Sequence, residues 1–353
     1  MFLKRNIDAV IPLQDFMNLT VKPLNLKLKY PFRISRETRT IQNNILVTLK
    51  DEDGNYGLGE AAPVKYYGED VKSVRTTLQR VSKCLISDPF YIEDITNVLQ
   101  SRFTNTFARA AVDIALHDLV AKKLNIPLYK SLGLNPARSG VTSLTIGLAS
   151  VDIMCKKVEE AKDFPILKIK LGVKNDLKLL EAIRRKTNAT IRVDANAGWT
   201  VNEAIKKMNA MKDFGIEFVE QPIQPGNING LKKVRDSVDL PIIADEDVKT
   251  SDDIIPLVNA VDGINIKLMK CGGIREAIRM INIARACKLK IMFGCMIESS
   301  VSITAAAHLT PLADYADLDG NLLITNDPFI GVIVRQGKLI LPERPGLGIV
   351  EKA

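Results

Sequence analysis

At 353 residues the chain has room for an eight-stranded α/β barrel of about 250 residues and roughly 100 residues more. Its 46% hydrophobic and 25% charged content is that of an ordinary globular protein rather than a disordered or fibrous one. The net charge of +8 is scattered among 49 Lys and Arg, with no long basic run interleaved with aromatics, which excludes a nucleic-acid partner.

Residues up to about 130 do not read as barrel repeats. Apolar runs at 24–28 and 45–49 predict strands, and Asp51-Glu52-Asp53-Gly54-Asn55 a turn leading to a third strand at 56–59. Between the first two lies a polar, arginine-bearing stretch, 33–44, read as a loop. Helical patterns follow at 71–87 and 106–124, the second with Ala111, Ala115 and Leu119 on one face. Strands followed by helices predict an α+β domain over residues 1–130.

From about Val141 the rhythm changes. Strand-like runs at 143–148, 167–171, 190–194, 217–220, 241–244, 263–266, 290–293 and 315–318 recur about every 25 residues. Helical patterns such as 177–186, 201–214 and 275–287 separate them, which predicts a parallel barrel over 131–325, since each parallel crossover needs its own helix. The remaining 326–353, with short strand patterns and Pro-Gly turns, is expected to pack back on the first domain.

The five cysteines (Cys84, Cys155, Cys271, Cys287 and Cys295) are odd in number and show no Cys-x-x-Cys pairing, so reduced thiols are expected. The N-terminal MFLKRNIDAVIPL has no apolar signal core, and no run of about 18 apolar residues occurs. A cytoplasmic protein with no membrane partner is expected.

The stretch that organises the chemistry is Leu167-Lys168-Ile169-Lys170-Leu171-Gly172. Alternation puts Lys168 and Lys170 on one strand face, and inside a barrel two ammonium groups are costly unless carboxylates or a metal site surround them. Later strand ends supply those carboxylates: Asp194, Glu220 and Asp245, each about one βα unit after the last, and then Lys267. Singly, each acid could be a helix N-cap. Together they form a set of three hard oxygen ligands suited to Mg²⁺ or Mn²⁺. Lys170 and Lys267 would flank that site from opposite sides. A neighbouring ammonium, Lys168, and a divalent cation would lower a lysine pKa enough for it to act as a base. Lys270, three residues past Lys267, reads as an ordinary loop or helix-start residue.

These residues, with Gly57-Leu58-Gly59-Glu60-Ala61 and Pro345-Gly346-Leu347-Gly348, resemble the enolase superfamily, its muconate-lactonizing-enzyme subgroup and most closely the dipeptide epimerases, across essentially the whole chain. The resemblance implies an α/β fold, a (β/α)7β modified TIM barrel with an N-terminal α+β capping domain. It implies that Mg²⁺, held by Asp194, Glu220 and Asp245, chelates a substrate carboxylate. Lys170 and Lys267 would be the acid/base pair inverting the adjacent α-carbon, and Lys168 would stabilise the developing negative charge. Asp317 and Asp319, in Asp317-Leu318-Asp319, resemble a clamp for a dipeptide's N-terminal ammonium, and Glu298 takes a supporting polar role in the pocket. In relatives acting on Ala-Glu an arginine in the loop after Pro31-Phe32 meets the glutamate. Glu37 stands there in this chain, which favours cationic, Lys- or Arg-containing dipeptides. Arg33, Arg36 and Arg39 lie close by as possible partners for Glu37, and Ala-Glu stays open as a substrate.

A small-molecule dipeptide substrate and a homo-oligomer are expected. Alternatives of the same subgroup are o-succinylbenzoate synthase, N-acylamino acid racemase and muconate cycloisomerase, which would leave the Asp317/Asp319 pair no charged group to meet. A silent barrel used as a scaffold would leave the lysines and acids without a purpose. A Schiff-base barrel with Cys271-Gly272-Gly273 as an anion loop would leave the three carboxylates unexplained.

Overall fold

The computed structural model describes residues 17–33, 38–85 and 88–352. Three strands, β1 (Asn18–Arg33), β2 (Thr38–Lys50) and β3 (Tyr56–Ala61), form an antiparallel meander. β1 and β2 pair from Asn18↔Lys50 to Lys27↔Ile41, and the register then shifts before Phe32↔Arg39. Residues 38–44, expected in a loop, belong to β2. Gln42 and Asn44 conceal a strand because they are polar and bonded inward. Gln42 donates to Asn44 Oδ1 at 2.9 Å, and Asn44 donates to Glu60 Oε1 at 2.7 Å.

Helices α1 (Val71–Val81), α2 (Ile92–Arg102), α3 (Thr106–Lys123) and the short α4 (Leu128–Ser131) follow. An Asp70–Ser73 capping box starts α1. It stops short of the expected residue 87 because the amides of Lys83 and Cys84 bond three residues back rather than four, the tightening that ends a helix. The α2 helix was not marked by its sequence pattern. A Cβ at Gly57 or Gly59 would run into the backbone carbonyls of Ala115 and Ala111, so small residues on both elements let α3 lie directly on β3.

The barrel runs in chain order through β4 (Leu144–Ile146), α5 (Val151–Glu160), β5 (Ile166–Lys170), α6 (Asp176–Arg184), β6 (Thr190–Asp194), α7 (Val201–Met211), β7 (Ile216–Glu220) and α8 (Ile228–Arg235). It continues through β8 (Ile242–Ala244), α9 (Ile254–Leu257), β9 (Gly263–Ile266), α10 (Leu268–Cys271), α11 (Ile274–Ala286), β10 (Lys290–Gly294), α12 (Ser300–Ala307) and β11 (Tyr315–Asp317). The eight strands pair in parallel in chain order, and a bridge between Thr142 and Ala316 brings the first and last together. This is the (β/α)7β barrel under an α+β cap that the sequence indicates. Leu167, Ile169, Ile191, Val193, Ile264 and Ile266 are fully buried in the hydrophobic core. Inside the barrel, Arg192 lies 5.2 Å from the ring centroids of both Phe218 and Tyr315 and donates to Ala316 O at 2.7 Å.

The chain ends in short strands β12 (Phe329–Ile330), β13 (Ile333–Arg335), β14 (Lys338–Ile340) and β15 (Val350–Glu351). Between the last two, Gly346 exchanges backbone bonds with Ile126 and Leu128, and the Leu347 amide donates to buried Asp118 at 2.7 Å. Cap and barrel meet at Glu60, which accepts bonds from the Ser299 amide and hydroxyl just ahead of α12. Among the described residues, no helix is long and apolar enough to cross a membrane.

Candidate active site

A cavity of about 360 Å³ lies between the C-terminal ends of the barrel strands and the cap. Its barrel wall includes Lys168, Lys170, Asp245, Lys267, Asp317 and Asp319, and its cap wall Phe32, Arg39, Lys65, Tyr66 and Tyr67. Parallel register sets the acids level. Lys170 pairs with Asp194 and Asp194 with Glu220 across neighbouring strands, and Asp245 follows the last residue of β8. Lys170 ends β5 and Lys267 follows β9. These strands are four places apart in a ring of eight, so the two lysines face each other from opposite walls.

The charges are closely interlocked. Lys168 Nζ lies 3.0 Å from Asp194, 2.7 Å from Glu220 and 2.7 Å from Asp317. Lys170 Nζ meets the same Asp194 oxygen at 2.6 Å, and Lys267 Nζ meets Asp245 at 2.7 Å. Asn265 donates to the other Glu220 oxygen at 2.8 Å. Burial works against the charge on Lys168 and Lys267, yet their carboxylate partners outweigh it and hold both lysines above their ordinary range. With no cation between them, Asp245 and Glu220 are what hold Lys267 up.

The three acids fit a divalent cation in kind and in charge. All are buried, and Glu220 is pushed up to about 7 by burial and by its neighbours Asp194 and Asp245, despite Lys168. Such crowded hard anionic oxygens are what a small dication relieves. Among the described residues, however, no three acidic, His or Cys side chains converge at ligand spacing. Asp194 and Glu220 meet at Lys168, while Asp245 turns to Lys267 and Lys270. Glu220 Oε2 accepts no well-aligned hydrogen bond even so.

Lys270 is a correction. It is not an ordinary loop residue: its side chain is fully buried, and its Nζ donates to Asp245 Oδ1 and to the backbone oxygens of Asp245 and Asn265. The one-turn helix α10 turns it inward, and its spacing of three from Lys267 was the available signal. Asn265, two residues before Lys267 and on the same strand face, was missed as well; period-2 alternation could have found it.

Asp317 and Asp319 both line the cavity, but β11 ends at Asp317 and Asp319 lies beyond the strand, ahead of the turn at Gly320–Leu323. Asp317 accepts from the Ser143 hydroxyl at 2.6 Å, and Asp319 from the Thr145 amide at 2.6 Å. Burial and the adjacent Asp317 push Asp319 up to about 6. Glu298 does not border the cavity; Cys295, Met296 and Ile297 do. The Met296 amide donates to Glu298 at 2.8 Å and folds the carboxylate back on its own loop, where burial and Glu60 push it up to about 8. Glu37 lies outside the described residues.

Residues 17–133 match the family described as mandelate racemase / muconate lactonizing enzyme, N-terminal domain, and residues 153–352 the family described as enolase C-terminal domain-like. The L-Ala-D/L-Glu epimerase of Bacteroides thetaiotaomicron is 43% identical over 338 residues, 95% of this chain and 88% of that one. The substrate-liganded L-Ala-D/L-Glu epimerase from Bacillus subtilis superposes with a TM-score of 0.92 at 32% identity, covering 96% of this chain and 99% of that one. A dipeptide epimerase from Methylococcus capsulatus, solved with Mg and L-Arg-D-Lys, superposes with a TM-score of 0.88 at 33% identity, covering 95% and 99%. The chain belongs to the mandelate racemase / muconate lactonizing enzyme group of the enolase superfamily.

Proposed function

We propose that the protein is a dipeptide epimerase, an isomerase that inverts the carbon α to a dipeptide's carboxylate. The observation that carries this is the pair Lys170 and Lys267, on opposite walls of one cavity with acids between them. Asp194, Glu220 and Asp245 would hold Mg²⁺. When bound, Mg²⁺ supplies a Lewis acid that anchors the substrate carboxylate and acidifies the neighbouring C–H.

One lysine Nζ, uncharged, takes the α-proton as the C–H bond breaks, and the opposite ammonium delivers its proton to the other face of the carbon. Carboxylates committed to a dication would no longer hold Lys267 charged, and it could then serve as either partner. Lys168 keeps Asp317, which is not among the ligands proposed for Mg²⁺, at 2.7 Å, and as an ammonium it steadies the developing negative charge. Asp317 and Asp319 take the substrate ammonium, a role that sets a dipeptide apart from N-acyl or cyclohexadienyl substrates of the same family. Phe32, Tyr66 and Tyr67 on the cap side help exclude water.

Residues 1–130 act as cap and 131–325 as catalytic barrel, while 326–353 packs back on the cap through Gly346 and Leu347. The free cysteines of the structure accord with a cytoplasmic setting.

For the second residue, Glu37 favours cationic dipeptides, and the relative solved with L-Arg-D-Lys accords with that. A second reading has its own observation. Arg39 and Lys65 line the cap wall of the cavity and favour an acidic side chain such as that of Ala-Glu. The test is α-proton exchange in D₂O with Mg²⁺ over a mixed L,L-dipeptide library, read by mass spectrometry. Label in Lys or Arg dipeptides, shifted to acidic ones by Glu37→Arg, supports the first reading. Label in Ala-Glu supports the second. No label in protein that binds Mg²⁺ rejects the epimerase.

A further inference from the structure

A second cavity of about 270 Å³ adjoins the first, between β1 of the cap and the β4–α5 corner of the barrel. Phe32, Thr145 and Leu323 border both spaces, so the two meet along these three side chains. Its inner wall is apolar, with Leu28, Leu144, Ile146, Ala161, Phe164 and Leu322. The charged residues that border it lie at its rim: Glu160 accepts from Tyr30 at 3.3 Å, Lys157 Nζ lies 5.1 Å from the Tyr30 ring centroid, and Lys29 is exposed. Nothing on the inner wall would recognise a charged group.

Thr145 links this space to the proposed ammonium clamp, since its amide donates to Asp319 at 2.6 Å while the residue itself borders the second cavity. A peptide's N-terminal side chain leaves the carbon that carries the ammonium. With the ammonium at Asp319, that side chain starts beside Thr145. Toward the barrel floor it would meet Lys168 and its buried acids, where an apolar group would desolvate charge. The route between Phe32 and Leu323 leads to apolar surface instead. The space is ample, since a cavity of about 150 Å³ lined by Leu, Ile and Phe accepts benzene.

We infer that this second cavity receives the side chain of the substrate's N-terminal residue, and that the residue is large and apolar, of the Leu, Met or Phe class. This rests on the epimerase reading and on Asp317 and Asp319 as its ammonium clamp.

The test compares kcat/KM for α-proton exchange in D₂O with Mg²⁺ for L-Ala, L-Leu and L-Phe placed ahead of one common second residue, in both a Lys and a Glu series. Leu and Phe should exceed Ala by about tenfold or more, the yield of two or three buried methylenes. Leu322→Trp, which fills the cavity from its half-buried turn, should bring the Phe-to-Ala ratio down to one or below. Exchange that favours Ala in the unaltered protein overturns the inference and leaves the epimerase standing. An equal fall for all three dipeptides in Leu322→Trp marks the space as an access route and overturns it too. Exchange with none of the dipeptides removes the epimerase reading and the inference with it.

Discussion

Lys270 Nζ donates to Asp245 Oδ1 at 2.5 Å and to the backbone carbonyl of the same residue at 2.6 Å. A further bond to Asn265 O at 3.0 Å ties the end of β8 to β9. Burial alone would raise Asp245, but Lys267 and Lys270 outweigh it and hold that carboxylate well below its usual range. Removing Lys270 leaves a fully buried acid with one ammonium instead of two. Lys270→Met should lower the unfolding free energy by about 3 kcal/mol, the cost of breaking a buried ion pair on one side. It should also weaken Mg²⁺ binding about tenfold, as loss of a group that orients a ligand does. Urea unfolding and Mg²⁺ titration calorimetry measure the two separately. Unchanged Mg²⁺ affinity would show that Lys270 does not orient Asp245 for the ion.

The opposed lysines make a stereochemical prediction. Lys170→Ala and Lys267→Ala should each lower epimerisation by about 10²–10⁴-fold, the usual contribution of a positioned acid or base. Each variant should still exchange the α-proton of one stereoisomer, and the two variants should prefer opposite ones. NMR of the α-proton in D₂O reads both quantities. Full epimerisation by either variant would end the two-base mechanism.

The barrel was legible in the sequence because its strands are buried on both sides and therefore read as short apolar runs at a steady interval. The acids and Lys267 were legible because each falls at a strand end within that rhythm. Lys270 was not, since a single-turn helix has too few residues to reveal which way its side chains face. The first part of β2 was hidden for a different reason: Gln42 and Asn44 look like loop residues until their buried partners are known. Glu298 was placed in the cavity by its position after β10, whereas a bond to Met296, two residues back, decides where its carboxylate points.

Asp319 carries a prediction about substrate charge. Its carboxylate borders the cavity and is pushed up to about 6 by burial and by Asp317. It is therefore anionic above that pH and increasingly neutral below it. An ammonium held there should be lost on acidification, so KM for a dipeptide should climb as pH falls through about 6. Asp319→Asn should raise KM at pH 7.5 by about tenfold or more, the worth of a charged hydrogen bond, and should flatten the climb below pH 6. An N-acetylated dipeptide, which has no ammonium, should show neither effect. Equal KM changes for free and acetylated dipeptides would assign Asp319 a purely structural part.

His308, at the end of α12, joins three parts of the chain. Its Nδ1 accepts from the Tyr129 amide at 3.3 Å and its Nε2 lies 3.2 Å from Leu347 O, so the neutral ring with its proton on Nε2 satisfies both. The ring also stacks on Tyr129 with centroids 5.7 Å apart. Burial pushes its pKa down to about 4, from an ordinary value of 6.5. Between those two values the unfolded chain binds the proton that the folded one refuses. Stability is thus fully present above about 6.5 and is lost as pH falls toward 4, by about 3 kcal/mol in all. Most of that loss should be visible in urea unfolding at pH 7 and pH 4.5. His308→Gln should be less stable than the unaltered protein at pH 7 and should lose less on acidification. The same loss between the two pH values in both proteins would place the acid sensitivity elsewhere.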